Sequence, residues 1–206
     1  MVDQNEYKIR AQEIINAGRY IDSKGWVPAT SGNFSTRLSD GTIAITVSGT
    51  HKGRLTEDDI MLIDSQGRAL DDQKPSAETR LHTAIYQRFI DINAVLHPHT
   101  LNSTLISRLF HHEIVLKGYE LLKAFTSINT HETELKVPIF DNDQNIDRLS
   151  NIVDRYMNDN SKVQAYIISS HGFYTWGHNI NDALRHVEAL EFLFDCEIRL
   201  SGAKRS

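Results

Sequence analysis

Asn33-Phe34-Ser35-Thr36-Arg37-Leu38-Ser39-Asp40-Gly41-Thr42-Ile43-Ala44-Ile45-Thr46-Val47 reads as two extended segments, Phe34 to Leu38 and Thr42 to Val47, joined at Asp40-Gly41. β-Branched and aromatic residues suit a pleated backbone, and Asp-Gly supplies the positive-φ positions of a tight hairpin turn. A hairpin pairs antiparallel, so the sheet seeded here is expected to be largely antiparallel. Upstream, Tyr7, Ala11, Ile14, Gly18 and Ile21 recur at steps of four and three, the stripe of an amphipathic helix over residues 3–24 that ends at Gly25. Downstream, Ile60 to Ile63 is a short apolar strand, and Leu81, Ile85 and Phe89 repeat at helical spacing with Ser76 as the expected N-cap. Further strands are expected at Asn93 to Leu96, Val137 to Phe140 and Val163 to Ser169. Helices are expected at Asn102 to Leu109, Ile146 to Met157 and from an Asn181 cap to Ile198, with a short helical turn at Tyr119 to Ala124. Hairpins interleaved with helices predict an α/β layered domain with a largely antiparallel sheet.

At 206 residues, with 40% hydrophobic and 24% charged residues, the chain has the composition of one folded domain spanning residues 1–206. Its apolar runs, such as Ala165-Tyr166-Ile167-Ile168, are far shorter than the roughly 18–20 residues that span a bilayer. The net charge of −5, with Lys and Arg scattered, lacks the basic footprint of a nucleic-acid binder. The polar, acidic first residues and the single Cys196 lead to the expectation of a cytoplasmic protein without disulfides.

Motifs for dinucleotide binding, NTP hydrolysis and serine hydrolysis are missing, so the ten histidines draw attention. His97-Pro98-His99 follows a strand, and an i, i+2 pair in extended backbone projects both imidazoles to one side, where they can share a cation. His171, just beyond the strand that ends near Ser169, is the natural third ligand, because functional groups gather at strand ends in α/β sheets. Glu78 and His82 are four apart on one helix and would form either a base with its orienting partner or an ordinary surface pair. Glu120 sits in the apolar stretch Gly118-Tyr119-Glu120-Leu121-Leu122, surroundings that would raise its pKa and suit it to acid/base work, while its polarity alone would place it on the surface. His51, His111, His112, His131, His178 and His186 read as solvated or structural, and Cys196 as a helix-face apolar residue. The turns Thr30-Ser31-Gly32-Asn33 and Ser48-Gly49-Thr50-His51-Lys52, with Ser76, offer N–H groups and hydroxyls of the kind that hold phosphate, and Lys52 offers a positive charge beside them.

Taken in order, Thr30-Ser31-Gly32-Asn33-Phe34-Ser35, Thr46-Val47-Ser48-Gly49, Lys74-Pro75-Ser76-Ala77-Glu78, His97-Pro98-His99 and Ser170-His171-Gly172 resemble the signature segments of the class II aldolase and adducin-head family across nearly the whole chain. The resemblance implies a three-layer α/β/α sandwich around a mainly antiparallel sheet, assembled as a homotetramer with sites near subunit boundaries. It implies one zinc ion per subunit on His97, His99 and His171, with proline replacing the family's usual middle threonine. Phosphate contacts are implied at Gly32, Asn33, Ser48, Gly49 and Ser76. Leu116 to Ala124, Val137 to Gln144 and Tyr174 to Gly177 are similar to the dehydratase branch of the family. That branch implies loss of water from a small phosphorylated ketose, 5-methylthioribulose 1-phosphate, in methionine salvage. Glu120 matches the acid/base of that branch and Glu78 the catalytic glutamate of the aldolase branch, so both are candidate catalytic residues. Aldol cleavage is the alternative reaction, and a noncatalytic adducin-like interaction domain the alternative of another class. Iron, cobalt or manganese would also suit three imidazoles.

Overall fold

The hairpin forms where expected, with β1 (Asn33–Arg37) antiparallel to β2 (Ile43–Thr46). A computed structural model describes residues 2–203. Helix α1 (Gln4–Ser23) precedes the hairpin, and β3 (Ile60–Ile63), α2 (Thr79–Arg88), β4 (Ala94–His97) and α3 (Leu101–Leu109) follow. Then come β5 (Glu113–Lys117), a 3₁₀ turn at Glu120–Ala124, β6 (Glu134–Phe140), α4 (Ile146–Asp159), β7 (Ala165–Ile168), β8 (Gly172–Gly177) and α5 (Ile180–Ala203). The eight strands form one sheet in the order β3-β2-β1-β4-β8-β7-β6-β5. Every neighbouring pair is antiparallel except β6 with β7.

Alternation along the central strands builds a core on each face of this sheet, because successive side chains point to opposite sides. Ala94 and Leu96 of β4, with Ala165 and Ile167 of β7, pack with Ile14 of α1, Ile106 of α3 and Leu190 of α5. Val95, Tyr166 and Ile168, from the same two strands, pack with Leu81 and Ile85 of α2 and Leu149 and Val153 of α4. The result is the expected α/β/α layering. No helix among the described residues is long and apolar enough to cross a membrane.

Three local expectations are corrected. Helix α2 starts at Thr79 with Glu78 at its cap position, and Ser76 instead caps the turn before it, its Oγ accepting the Glu78 N–H at 3.2 Å. Asn179, not Asn181, caps α5, its Oδ1 accepting the Asp182 N–H at 2.9 Å. The segments at Glu113–Lys117 and Gly172–Gly177, not read as strands from the sequence, form β5 and β8. β5 is a sheet edge with Val115 exposed, which weakens its apolar signal.

Candidate metal centre

One end of the sheet collects the start of β1, the end of β2, the end of β4, the end of β7 and the start of β8. The histidines selected from the sequence converge there. His97 closes β4 and is fully buried, and two residues later His99 brings its ring to 4.6 Å from that of His97, centroid to centroid. His171 follows Ser170, a non-glycine residue in the left-handed region (φ 56°) held by its N–H to Ser107 Oγ at 2.8 Å. That reversal between β7 and β8 brings the His171 ring to 4.3 Å from His99 and 5.2 Å from His97.

Glu78 enters the same cluster from the start of α2. Its Oε1 lies 3.1 Å from His171 Nε2, and its Oε2 lies 3.5 Å from His97 Nε2 and 2.6 Å from Asn33 Nδ2. One ligand atom from each of Glu78, His97, His99 and His171 falls within 4.8 Å of the others, so the four could hold a metal ion.

The electronic state of the donors fits that use. His97 donates its Nδ1–H to the Phe173 carbonyl at 2.8 Å, which leaves the Nε2 lone pair facing His99 Nε2 at 2.9 Å. Burial pushes His97 down to about 4 and also lowers His99, which keeps both imidazoles neutral and able to bind a cation. Glu78 is half-buried, and its desolvation works against its charge, yet His97, His171 and the Asn33 amide hold the carboxylate well below its usual range. Two imidazole nitrogens within hydrogen-bond distance, an anion beside them and His171 Nδ1 left buried without a partner are what a cation-binding donor set presents.

Gly172 makes the close approach possible. A Cβ there would lie 2.4 Å from the Pro98 carbonyl oxygen and 3.0 Å from both the His97 and His99 rings. Gly172→Ala is therefore expected to weaken metal binding by about 10–100-fold, measured by competition with a chromophoric chelator. Retention of wild-type affinity would contradict this role. Gly32 (φ 76°) is constrained likewise, since a Cβ would approach the His97 carbonyl oxygen to 2.6 Å.

The phosphate-binding candidates lie around this end. Gly32 and Asn33 open β1, exposed Ser48 and Gly49 follow β2, and half-buried Ser76 precedes Glu78. Two of them carry a different load from the one expected. The Asn33 side chain is engaged with Glu78 and His82. Lys52 is buried, its Nζ donating to the carbonyls of Thr30 at 3.2 Å and Thr50 at 2.6 Å. Lys52 thus ties the two small-residue turns together, with burial pushing its pKa down to about 8 against the pull of Asp59 and Glu78.

Glu120 is elsewhere. It follows β5, whose last residue Lys117 pairs with Glu134 at the start of β6, the sheet end opposite the histidines. From β4 to β5 there are four strand steps, roughly 19 Å. Its exposed carboxylate accepts from Lys123 Nζ at 2.6 Å and lies 3.5 Å from His131, and the Lys123 hydrogen bond lowers its pKa rather than the apolar sequence neighbours raising it.

Behind the histidines, Glu191 of α5 is buried and accepts from Thr100 Oγ1 at 2.5 Å and Asn102 Nδ2 at 3.1 Å, clamping the start of α3 directly after His99. Burial raises this carboxyl to about 7 against the two hydrogen bonds. The folded chain then holds a proton that the unfolded chain has lost, so stability falls as pH rises from the ordinary value of 4.5 to about 7. Glu191→Gln is expected to gain stability relative to the native chain at pH 8.5 compared with pH 4.5, by up to about 3 kcal/mol, read from denaturant unfolding at the two pH values. A pH-independent difference would contradict it.

A mainly antiparallel sheet between two helical layers, with a His₃Glu cluster at one end that could hold a metal ion, defines an α/β domain with a candidate metal centre. The chain belongs to the Class II Aldolase and Adducin N-terminal domain family, whose model matches residues 12–198. Within that family it is 60% identical to methylthioribulose-1-phosphate dehydratase of Methylococcus capsulatus, over 97% of this chain and 98% of that protein. It is 50% identical to the protein of the same name from Hahella chejuensis, over 99% of this chain and 100% of that one. Among solved structures it resembles an L-fuculose 1-phosphate aldolase (TM-score 0.79, 22% identity, 98% of this chain and 89% of that one). It also resembles L-fuculose-1-phosphate aldolase from Thermus thermophilus (TM-score 0.76, 20% identity, 97% and 99%). At that identity the structural likeness speaks for the fold.

Proposed function

We infer that this chain dehydrates 5-methylthioribulose 1-phosphate to 2,3-diketo-5-methylthiopentyl 1-phosphate, a hydro-lyase step of methionine salvage. The observation that carries the reading is the 60% identity over almost the full chain to a protein of that activity. The convergence of Glu78, His97, His99 and His171 supports it, because the reaction removes a proton beside a carbonyl. Zinc is the ion that three imidazole ligands favour, and if bound on His97, His99 and His171 it would supply Lewis acidity toward the ketose oxygens.

The remaining work belongs to the chain's own groups. Backbone N–H groups and hydroxyls around Gly32, Asn33, Ser48, Gly49 and Ser76 hold the phosphate, on turns that Lys52 fastens together. The C3 proton leaves to a carboxylate, the C4 hydroxyl departs as water after protonation, and the resulting enol tautomerises to the diketone. Glu78 is beside the ligands within the chain. Glu120 takes part from a neighbouring copy, since its own chain holds it at the opposite sheet end. The working form in this reading is a cytoplasmic homotetramer of single-domain subunits. Leu101 at the start of α3 (72% exposed) and Phe192 of α5 (57% exposed) flank the Asn102–Glu191 contact and supply apolar surface for such an assembly next to the histidines.

Mass analysis after mixing the zinc-loaded protein with 5-methylthioribulose 1-phosphate tests the reaction. Loss of one water is expected. A phosphorylated three-carbon fragment would mark aldol cleavage instead, and an unchanged substrate with metal bound would refute the assignment.

A further inference from the structure

We propose that His82 is a positioning residue that fixes the amide of Asn33 and, through it, the carboxylate of Glu78. The inference rests on the reading of Glu78 as part of the site. His82 lies one helical turn after Glu78, yet the two do not pair directly. It is fully buried, its ring edge-on to Tyr174 at 5.5 Å. Its Nδ1 is 2.7 Å from Ser35 Oγ, which is 2.9 Å from the Tyr86 hydroxyl, and its Nε2 contacts Asn33 Oδ1. Asn33 then reaches Glu78 Oε2 through Nδ2 at 2.6 Å.

Only one polarity satisfies all four links. A carboxylate accepts and never donates, so Asn33 must turn its NH₂ toward Glu78 and its carbonyl toward His82. That carbonyl requires the proton of His82 on Nε2. A buried neutral imidazole has one N–H, so Nδ1 accepts from the Ser35 hydroxyl, and Ser35 in turn accepts from Tyr86. The chain Tyr86, Ser35, His82, Asn33, Glu78 is a one-way series of donors that ends on the catalytic carboxylate, anchored in β1 and α2. Without the Nε2 donor, the Asn33 carbonyl loses its partner, and the Glu78 carboxylate alone is left to hold the amide in this orientation.

The test compares His82→Met, which fills the space without a donor, with His82→Gln, whose amide nitrogen can replace Nε2–H, each in native and Asn33→Ala backgrounds. Cobalt(II) affinity, read from its visible absorption, is measured with kcat, KM and melting temperature. In folded protein, His82→Met should weaken cobalt binding and lower kcat by about 10–100-fold with little change in KM, and His82→Gln should stay within about 3-fold. In the Asn33→Ala background most of the effect of His82→Met should vanish, because its hydrogen-bonded route to the site is gone and only the packing of its ring on Tyr174 remains. Equal losses in both backgrounds, or His82→Gln as impaired as His82→Met, would overturn the proposal in favour of simple packing. Glu78→Gln separates the premises. If it is silent, the reading of Glu78 fails. If it is impaired while the His82 and Asn33 effects merely add, only the positioning fails.

Discussion

Glu120→Gln should keep its zinc and lose about 10²–10⁴-fold in kcat, the range that a positioned acid/base contributes. The substitution removes the titrating oxygen while retaining size and polarity at an exposed site, so the melting temperature should hardly move. The informative experiment is complementation. Glu120 and the histidine cluster sit at opposite ends of one sheet, so a functional pair of the two must come from different copies of the chain. Glu120→Gln and His99→Ala, each inactive alone, are expected to regain about a quarter of native activity when mixed equally by co-expression, since random assembly gives that share of sites an intact histidine set and an intact neighbouring Glu120. Absence of any recovery, with mixed oligomers shown to form, would remove Glu120 from a neighbour's site. Full activity of Glu120→Gln alone would remove it from the reaction.

His97→Ala or His99→Ala has the largest expected effect on stability as well as on turnover. Each removes one imidazole from a four-group cluster and leaves Glu78 facing an incomplete set of partners. A metal present at 1,000 times its dissociation constant stabilises the fold by about 4 kcal/mol, which for a chain of this size corresponds to roughly 8–16 °C in melting temperature. The native protein should gain that increment on zinc addition, and the His99→Ala protein should not. Zinc content after dialysis, measured by atomic emission, should fall from one per subunit to a trace. Full retention of zinc by His99→Ala would strike His99 from the ligands. His97→Ala should cost further stability in the metal-free state, because the ring is fully buried and its Nδ1–H satisfies the Phe173 carbonyl.

The two predictions draw on features of different visibility. His97 and His99 are two residues apart at the end of an apolar strand, so their convergence is a local property of extended backbone. Grouping His171 with them needed the inference that strand ends meet; β4 pairs with β8, and His171, immediately before β8, lies in the same cluster. Asn33, by contrast, is 45 residues from Glu78 and 49 from His82. Nothing in Ser31-Gly32-Asn33 marks its side chain as the link between them, and an asparagine before a strand reads equally well as a turn residue. Lys52 was misleading for the same reason, because a lysine in a polar turn resembles a solvated charge until the packing of α1 and two backbone carbonyls is seen to enclose it.

What this sequence determined by itself is what local periodicity and short spacing encode: the hairpin at Asp40-Gly41, the apolar stripes of α1, α2, α4 and α5, and the paired imidazoles of His97 and His99. Each depends on residues a few positions apart, whose directions follow from the backbone geometry of one element. The tertiary structure alone decided that Glu78 and not Glu120 faces the histidines within a chain, that His82 contacts Asn33, and that β5 and β8 complete the sheet. Those facts depend on which strands become neighbours and at which end of the sheet each loop emerges. Strand pairing is a long-range choice made by the burial of both sheet faces at once, and no stretch of a few residues records it.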